Sequence, residues 1–365
     1  MKKILFAAIS AVCMASCCHV PVFNLENPVV KAYLDQTDYD VNDYSYTNVD
    51  PYCQMRTTFR KDWPSPVTLT WESTVRLDSL VVAVSEKKDL SEPFSVVCSS
   101  GATEAVEVWN LIPGRKYYYG IRALKDSTEW FDLQNGSFKT AGRRRMMRVD
   151  GVSNVRDLGG LKTEDGRTLR FGKIFRGGQL DGWDDEFVTE EGLKTLRDFM
   201  KIGTDIDYRN DWDLCRSDED TTNDVTWSRL GENVDYYNFQ TRGIDGIKKE
   251  TKFGDIYKVF LQSLRDGKPV YTHCIAGADR TGIMCLLLEA SLGVSENDAI
   301  MDYELTSFSK HGRRARSPMW CKVPQGVEYI KSLGGATFQD CCRLLLKSQG
   351  VTDEEIAEFQ GLMLE

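Results

Sequence analysis

Histidine is scarce in this sequence. Only His19, His273 and His311 occur in 365 residues. That excludes a multi-histidine zinc site and leaves few candidates for a Ser-His-Asp arrangement. Excess positive charge is also lacking. The chain has 46 Lys and Arg against 55 Asp and Glu, a net charge of −9, which speaks against broad electrostatic binding to nucleic acid. Its eleven cysteines include no CxxC pair, so zinc ribbons and thioredoxin-type redox motifs are out. They are also too dilute for a disulfide framework. Beyond the N-terminus no run approaches about 18 consecutive apolar residues, and there is no internal repeat or low-complexity tract. What is present is ordinary: 41% hydrophobic and 11% aromatic residues, enough for folded cores, and a length that suggests about two domains.

The first residues carry an address. Met1-Lys2-Lys3 precedes an apolar run from Ile4 to Met14, then Ala15-Ser16-Cys17. A basic start, a short apolar stretch and small residues describe a secretory signal, too short to span a bilayer. Met14-Ala15-Ser16-Cys17 resembles a bacterial lipoprotein box with Met in the usual Leu position. The resemblance implies residues 1–16 as signal, Cys17 as the lipidated mature N-terminus and residues 17–27 as a tether. The expected location is the bacterial cell envelope, exported and membrane-anchored.

Residues 28–141 look all-β. Val67–Trp71 alternates with period two, and short β-rich runs follow at Leu80–Val84, Val106–Trp109 and Tyr117–Ile121. Turn signals separate them, which predicts an immunoglobulin-like β-sandwich. Leu111-Ile112-Pro113-Gly114-Arg115-Lys116-Tyr117, with Ser137-Phe138-Lys139-Thr140 at the end, resembles the fibronectin type III pattern. There the tyrosine bonds back to the backbone in a corner. This half shows no catalytic constellation, and a protein or glycan is the kind of ligand such a sandwich would take. Residues 142–148, with Arg143, Arg144, Arg145 and Arg148, read as a solvated basic linker rather than a lipid-binding patch.

From residue 149 to the C-terminus the texture is α/β. Thr189 opens a helix whose apolar face is Leu193, Leu196 and Phe199, and Ile206 lies on a following strand. Phe253 to Leu264 has helical spacing, Lys268–Cys274 reads as a strand, and Ile283–Leu292 is apolar on every side, as a buried helix is. Alternating strands and helices predict a central, mainly parallel sheet flanked by helices.

The chemistry concentrates in His273-Cys274-Ile275-Ala276-Gly277-Ala278-Asp279-Arg280-Thr281-Gly282, between that strand and the buried helix. A strand's carboxyl end and a helix N-terminus together favour an anion-binding crevice. Inward backbone N–H groups of Ile275, Ala276, Gly277, Ala278, Asp279 and Arg280 can form a nest for phosphate oxygens. Gly277 permits the tight backbone, and the planar fork of Arg280 matches two phosphate oxygens. The same positive field favours the thiolate of Cys274. A thiolate beside a phosphate cradle points to phosphoryl transfer through a phosphocysteine.

The stretch resembles the cysteine-dependent protein tyrosine phosphatase superfamily, signature His-Cys-x5-Arg-[Ser/Thr]. Gly-x-Asp-Arg-Thr-Gly narrows this to a bacterial family that also hydrolyses phosphoinositides. Asn154–Gly160, Phe175–Leu180, Asp207-Tyr208-Arg209 and Tyr303-Glu304-Leu305-Thr306 fit that family in order. One departure is Ala278, where a lysine often sits. Its absence weakens the case for highly phosphorylated inositides.

The expected roles are Cys274 as nucleophile, Arg280 as phosphate clamp and Thr281 as hydrogen-bond donor to the departing thiolate. His273 orients the loop or tunes Cys274. The general acid is Asp279, which a bound dianion would hold protonated, or Asp245 on a Gly-Ile-Asp-Gly loop resembling a mobile acid loop. Asp207 with Arg209, Arg156 with Asp157, and Arg176 read as structural pairs near the site. Arg313, Arg314 and Arg316 read as a solvated face and His311 as an isolated surface residue. Neither a metal nor another cofactor is expected, since the loop and Arg280 supply the charge. The expected activity is hydrolysis of protein phosphotyrosine. Its rivals are phosphoinositide or inositol-phosphate hydrolysis and, from another class, a non-catalytic phosphate-binding or adhesion lipoprotein.

Overall fold

A computed structural model describes residues 20–40, 47–53, 63–181, 187–210, 214, 227–241, 252–312 and 323–365. Cys17, Asp245, Cys215, Cys321 and the Arg313–Arg316 cluster lie outside them. The described chain divides into two compact units: residues 20–25 with Ser65–Gly142, and Glu26–Pro64 with Arg143–Glu365.

The first unit is all-β: β1 (Val22–Asn24), β2 (Val67–Thr70), β3 (Ser79–Ser85), β4 (Ser95–Ser100), β5 (Ala105–Val108), β6 (Lys116–Lys125) and β7 (Glu129–Ala141). One sheet has the order β1-β7-β6-β3-β4, and β2 pairs with β5 in a second. Alternation explains the packing. Val67 and Leu69 on β2 and Leu80, Val82 and Val84 on β3 point into one shared apolar cluster with Val106, Val108, Tyr117, Ile121 and Phe138. The β6–β7 turn holds Asp126 and Ser127 at φ of 51° and 58°, the primed geometry that matches strand twist. The Tyr117 hydroxyl accepts the backbone N–H of Ile112 at 3.0 Å.

The second unit carries a six-stranded sheet: β8 (Arg145–Met146), β9 (Arg156–Asp157), β10 (Ile174–Gly177), β11 (Thr204–Asp207), β12 (Asp235–Asn238) and β13 (Val270–His273). The order is β12-β11-β13-β10-β9-β8. β12, β11, β13 and β10 run parallel, while β9 and β8 add antiparallel strands at one edge. Both faces are covered, as parallel sheets require. Val270 and Ile174 join the cluster under the helices, whereas Tyr271 and Phe175 join another on the opposite face. The helices are α1 (Pro28–Leu34), α2 (Glu190–Lys194), α3 (Phe253–Arg265), α4 (Asp279–Leu292), α5 (Glu296–Glu304), α6 (Val323–Lys331), α7 (Phe338–Ser348) and α8 (Asp353–Met363). A π-helical turn, Thr195–Phe199, extends α2.

Two boundaries differ from the sequence reading. The described residues among 26–64, which the sequence reading gives to the tether and the sandwich, belong to the α/β unit, while β1 pairs with β7 in the all-β unit. Residues 144–146 are not a solvated linker. Arg144 and Arg145 are buried, and Arg145 donates to Asp157 at 2.9 Å from edge strand β8. A buried guanidinium needs a carboxylate partner, and consecutive arginines do not by themselves reveal one.

Candidate active site

The loop from Cys274 to Ala278 joins β13 to α4. Twelve residues of α4, Thr281–Leu292, are buried, so the helix is fixed as a core element. Its N-cap is Ala278, whose side chain cannot cap it. The first N–H groups and the positive end of the helix dipole are thus left for an anion.

The loop's backbone is held from behind. Ile275 O accepts from the N–H of Gln179 at 2.9 Å. Asn154 Nδ2 donates to Ala276 O at 2.9 Å and Gly277 O at 3.1 Å. Arg176 donates to Gly277 O at 2.9 Å and Ala278 O at 3.2 Å. Each trans peptide points its N–H opposite its carbonyl. Anchoring the carbonyls of residues 275–278 therefore turns the N–H groups of residues 276–279 the other way, as a nest requires. Gly277 is obligatory here. Its φ is +61°, and a Cβ would lie 2.1 Å from Gly177 O.

The anchors are themselves held by charge. Asp302 on α5 takes Arg176 Nη1 at 2.8 Å and Arg156 Nε at 3.0 Å. Arg156 Nη1 donates to Asn154 Oδ1 at 2.6 Å, leaving the Asn154 amide nitrogen to the loop. All three charged groups are buried, and although burial opposes it, the two arginines hold Asp302 below the usual carboxylate range. Thr306 Oγ1 accepts a further Asn154 bond at 3.2 Å.

Cys274 is buried at 3% exposure. Burial raises its pKa, but the Arg280 charge and the hydroxyl and N–H of Thr281 outweigh it, and the thiol ends below its ordinary range. The buried Thr281 hydroxyl has no oxygen or nitrogen partner among the described residues, so the sulfur is the acceptor it serves. By contrast, burial pushes Cys285, further along α4, up to about 12. Arg280 Nη1 donates to Tyr208 O at 3.1 Å, which aims its half-buried side chain along the loop. Asp279 Oδ1 accepts from the Tyr303 hydroxyl at 2.9 Å. Gly282 lets that ring approach, since a Cβ there would lie 2.7 Å from Tyr303.

His273 lies 3.1 Å from Asp205 through Nε2, and its Nδ1 is 3.2 Å from Cys274 O and 3.8 Å from Asp207. Burial lowers its pKa, yet Asp207 and Asp205 raise it further, to about 9. This favours the imidazolium form, fixed behind the Cys274–Ala278 loop. Asp207 and Arg209 form the expected structural pair: Arg209 Nη2 bonds Asp207 at 2.8 Å and Asp181 at 2.9 Å.

The structure thus gathers Cys274, Asp279, Arg280, Thr281 and His273 around one loop, with Asp207 and Arg209 behind it. Other expectations change. Arg156 pairs with Asp302, while Asp157 pairs with Arg145. His311 is not isolated: its Nε2 lies 2.9 Å from Ser153 Oγ. Among the described residues, Cys98, Cys274, Cys285, Cys341 and Cys342 are free thiols. The loop-holding roles of Asn154, Asp302 and Tyr303 escaped the sequence. Asn154 at φ 59° and Tyr303 lie within motifs already noticed, but their roles are defined only by contacts distant in sequence, over a hundred positions for Asn154 and 24 for Tyr303.

Comparison with known proteins finds matches to part of the chain. Residues 147–320 match the model of the tyrosine phosphatase family. A Cupriavidus necator protein named as a candidate tyrosine-protein phosphatase is 30% identical over 174 residues, covering 44% of this chain and 62% of that protein. The chain thus spans less than two thirds of that relative's length. The crystal structure of P. aeruginosa TpbA is 14% identical, covering 50% of this chain and 90% of that one, with a TM-score of 0.31. PTPMT1, solved in complex with PI(5)P, is 14% identical with a TM-score of 0.29, covering 48% and 94% of the two chains. The family match includes the loop, Asn154, Arg176, Asp302 and Tyr303, whereas residues 26–53 fall outside it.

Proposed function

We propose that the chain is a cysteine-dependent phosphoric monoester hydrolase acting on protein phosphotyrosine. The observation that carries this reading is the anchored loop, whose outward carbonyls leave four N–H groups facing a thiol of depressed pKa beside Arg280. In the first step the Cys274 thiolate attacks phosphorus and the phosphorus–oxygen ester bond breaks. Asp279 gives its proton to the departing oxygen. The loop N–H groups and Arg280 stabilise the transferring phosphoryl. In the second step water attacks the phosphocysteine and returns a proton to Asp279. The sulfur–phosphorus bond breaks, and the Thr281 hydroxyl receives the thiolate. Two features support phosphotyrosine over inositides: the tyrosine phosphatase match and the neutral Ala278 within the loop.

A panel of phosphotyrosine peptides, phosphoserine peptides and phosphoinositides tests the reading. Phosphotyrosine peptides are expected to lead. Cys274→Ser should abolish turnover, by about 10⁴-fold or more, and Asp279→Asn should cost about 10²-fold. Inositides leading by more than about tenfold (1.4 kcal/mol) would transfer the assignment to the phosphoinositide rival. Unchanged turnover in Cys274→Ser would end the catalytic reading.

The first unit is read as fibronectin type III-like, supported by its two facing sheets and the Tyr117 corner. Anchoring through Cys17 rests on the residues before it. Among the described residues, no helix is long and apolar enough to cross a membrane. Palmitate labelling of the full chain, lost in Cys17→Ala, checks the anchor.

A further inference from the structure

Residues 26–40 and 47–53 lie between β1 and β2 in sequence, yet they fold as part of the α/β unit. Helix α1 begins with Asn27 capping the N–H of Val29 at 3.0 Å and buries Val30, Tyr33 and Leu34. These join Val49 and Cys53 in one cluster with Met301, Leu305 and Phe308. The Tyr33 ring packs 5.3 Å from Phe308 and 5.9 Å from Tyr52. The polar contacts converge on one carboxylate. Tyr33 donates to Glu304 Oε2 at 2.7 Å, and Tyr39 donates to the same oxygen at 3.0 Å. Cys53 Sγ donates to Ser307 O.

The strip they grip is the one that holds the catalytic loop. Tyr303 fixes Asp279, and Thr306 takes Asn154, whose amide anchors Ala276 and Gly277. Glu304 sits between these residues in the chain and is itself buried. A buried carboxylate that loses two phenol donors must find others or shift toward water. A displacement of the strip by a fraction of an ångström would be passed to the Tyr303–Asp279 bond. Proton transfer to a leaving oxygen is sensitive to placement on that scale.

We propose that residues 26–40 and 47–53 are a brace for the catalytic loop, and that Tyr33 and Tyr39 are positioning residues for proton delivery by Asp279. The inference rests on the phosphatase reading above, with Asp279 as the acid. It adds a segment outside the matched family region to the working site.

The test uses the full chain and two substrates. Phenyl phosphate has a leaving phenol with a pKa of about 10, like tyrosine, and needs the acid. p-Nitrophenyl phosphate, with an activated leaving group, needs it far less. For the double variant Tyr33→Phe/Tyr39→Phe, kcat/KM for phenyl phosphate should fall about tenfold, and for p-nitrophenyl phosphate less than about threefold. Glu304→Gln keeps an acceptor for both hydroxyls and should lose less than about threefold on phenyl phosphate. In an Asp279→Asn background the double variant should cost nothing further, because positioning an absent acid has no effect. Equal losses on both substrates, no loss on either, or full additivity with Asp279→Asn would each overturn the proposal. A wild-type chain inert toward both substrates would instead overturn the phosphatase reading itself, and the brace with it.

Discussion

The two units bury polar groups in opposite ways. In the sandwich the described buried polar residues are Ser85, Asn110 and Thr140, none of them charged. The α/β unit buries Glu26, Arg144, Arg145, Arg156, Asp157, Arg176, Asp181, Asp205, Asp207, Arg209, His273, Glu289, Asp302 and Glu304. Apolar packing is the more economical way to hold a fold, since a buried ion pair regains little beyond its desolvation cost. One group of these charges, Arg156, Arg176 and Asp302, lies where a backbone must be held against its own preference, with its carbonyls turned back and its N–H groups forward. The sandwich has no such loop and no such network. Buried charge in this molecule therefore marks the place where geometry, and not only stability, is being maintained.

Breaking the network should give the largest effect. Asp302→Ala leaves Arg156 and Arg176 buried without their carboxylate. It should destabilise the chain by about 3–5 kcal/mol, measured by denaturant unfolding, and lower kcat/KM by about 10²-fold as the loop carbonyls lose register. The matching change in the sandwich is Leu80→Ala. A cavity there should cost about 3 kcal/mol in the unfolding of that unit, while kcat/KM for an aryl phosphate stays at the wild-type value. A fall in turnover comparable to that of Asp302→Ala would break the comparison.

The charged unit should also be the pH-sensitive one. The pKa of His273 is raised from 6.5 to about 9 in the folded protein. A raised pKa means that the imidazolium contributes stability in full below about pH 6.5. That contribution is lost as pH rises through about 9. The difference between wild type and His273→Gln should therefore be largest at low pH, up to about 3 kcal/mol, and vanish above pH 9. Thermal melts across that range check it, and a difference that grows with pH would reverse the sign. Smallest of all, Tyr117→Phe removes one neutral hydrogen bond from the sandwich corner and should cost about 1 kcal/mol at any pH between 6 and 9.

The same contrast governs what could be read from sequence. Strands of the all-β unit follow from period-two alternation, and α4 from its largely apolar run, because both signals are local. Cys274, Gly277, Arg280 and Thr281 are legible for the same reason: the loop carries its chemistry within ten residues. Asp302 is opaque, because its meaning lies in Arg156 and Arg176, each more than a hundred positions away. Arg145 was misread as a linker residue because its partner Asp157 is visible only once β8 and β9 are paired. The brace failed on contiguity. Residues that immediately precede a sandwich were assigned to it, although their partners lie beyond residue 300.

That long-range pairing has a consequence for how the molecule matures. Tyr33 and Glu304 are 271 positions apart, and at about 5–20 residues per second of synthesis the first waits tens of seconds for the second. The strands β2 to β7 are contiguous and can pair as soon as they emerge. Val30, Tyr33 and Leu34, by contrast, keep their apolar surfaces uncovered until α5 and the residues after it have been made. A nascent chain would therefore complete its all-β unit first and the Cys274–Ala278 loop last. Ribosome-bound chains stopped before residue 300 should be protease-resistant across 65–142 and still open to cleavage at α1.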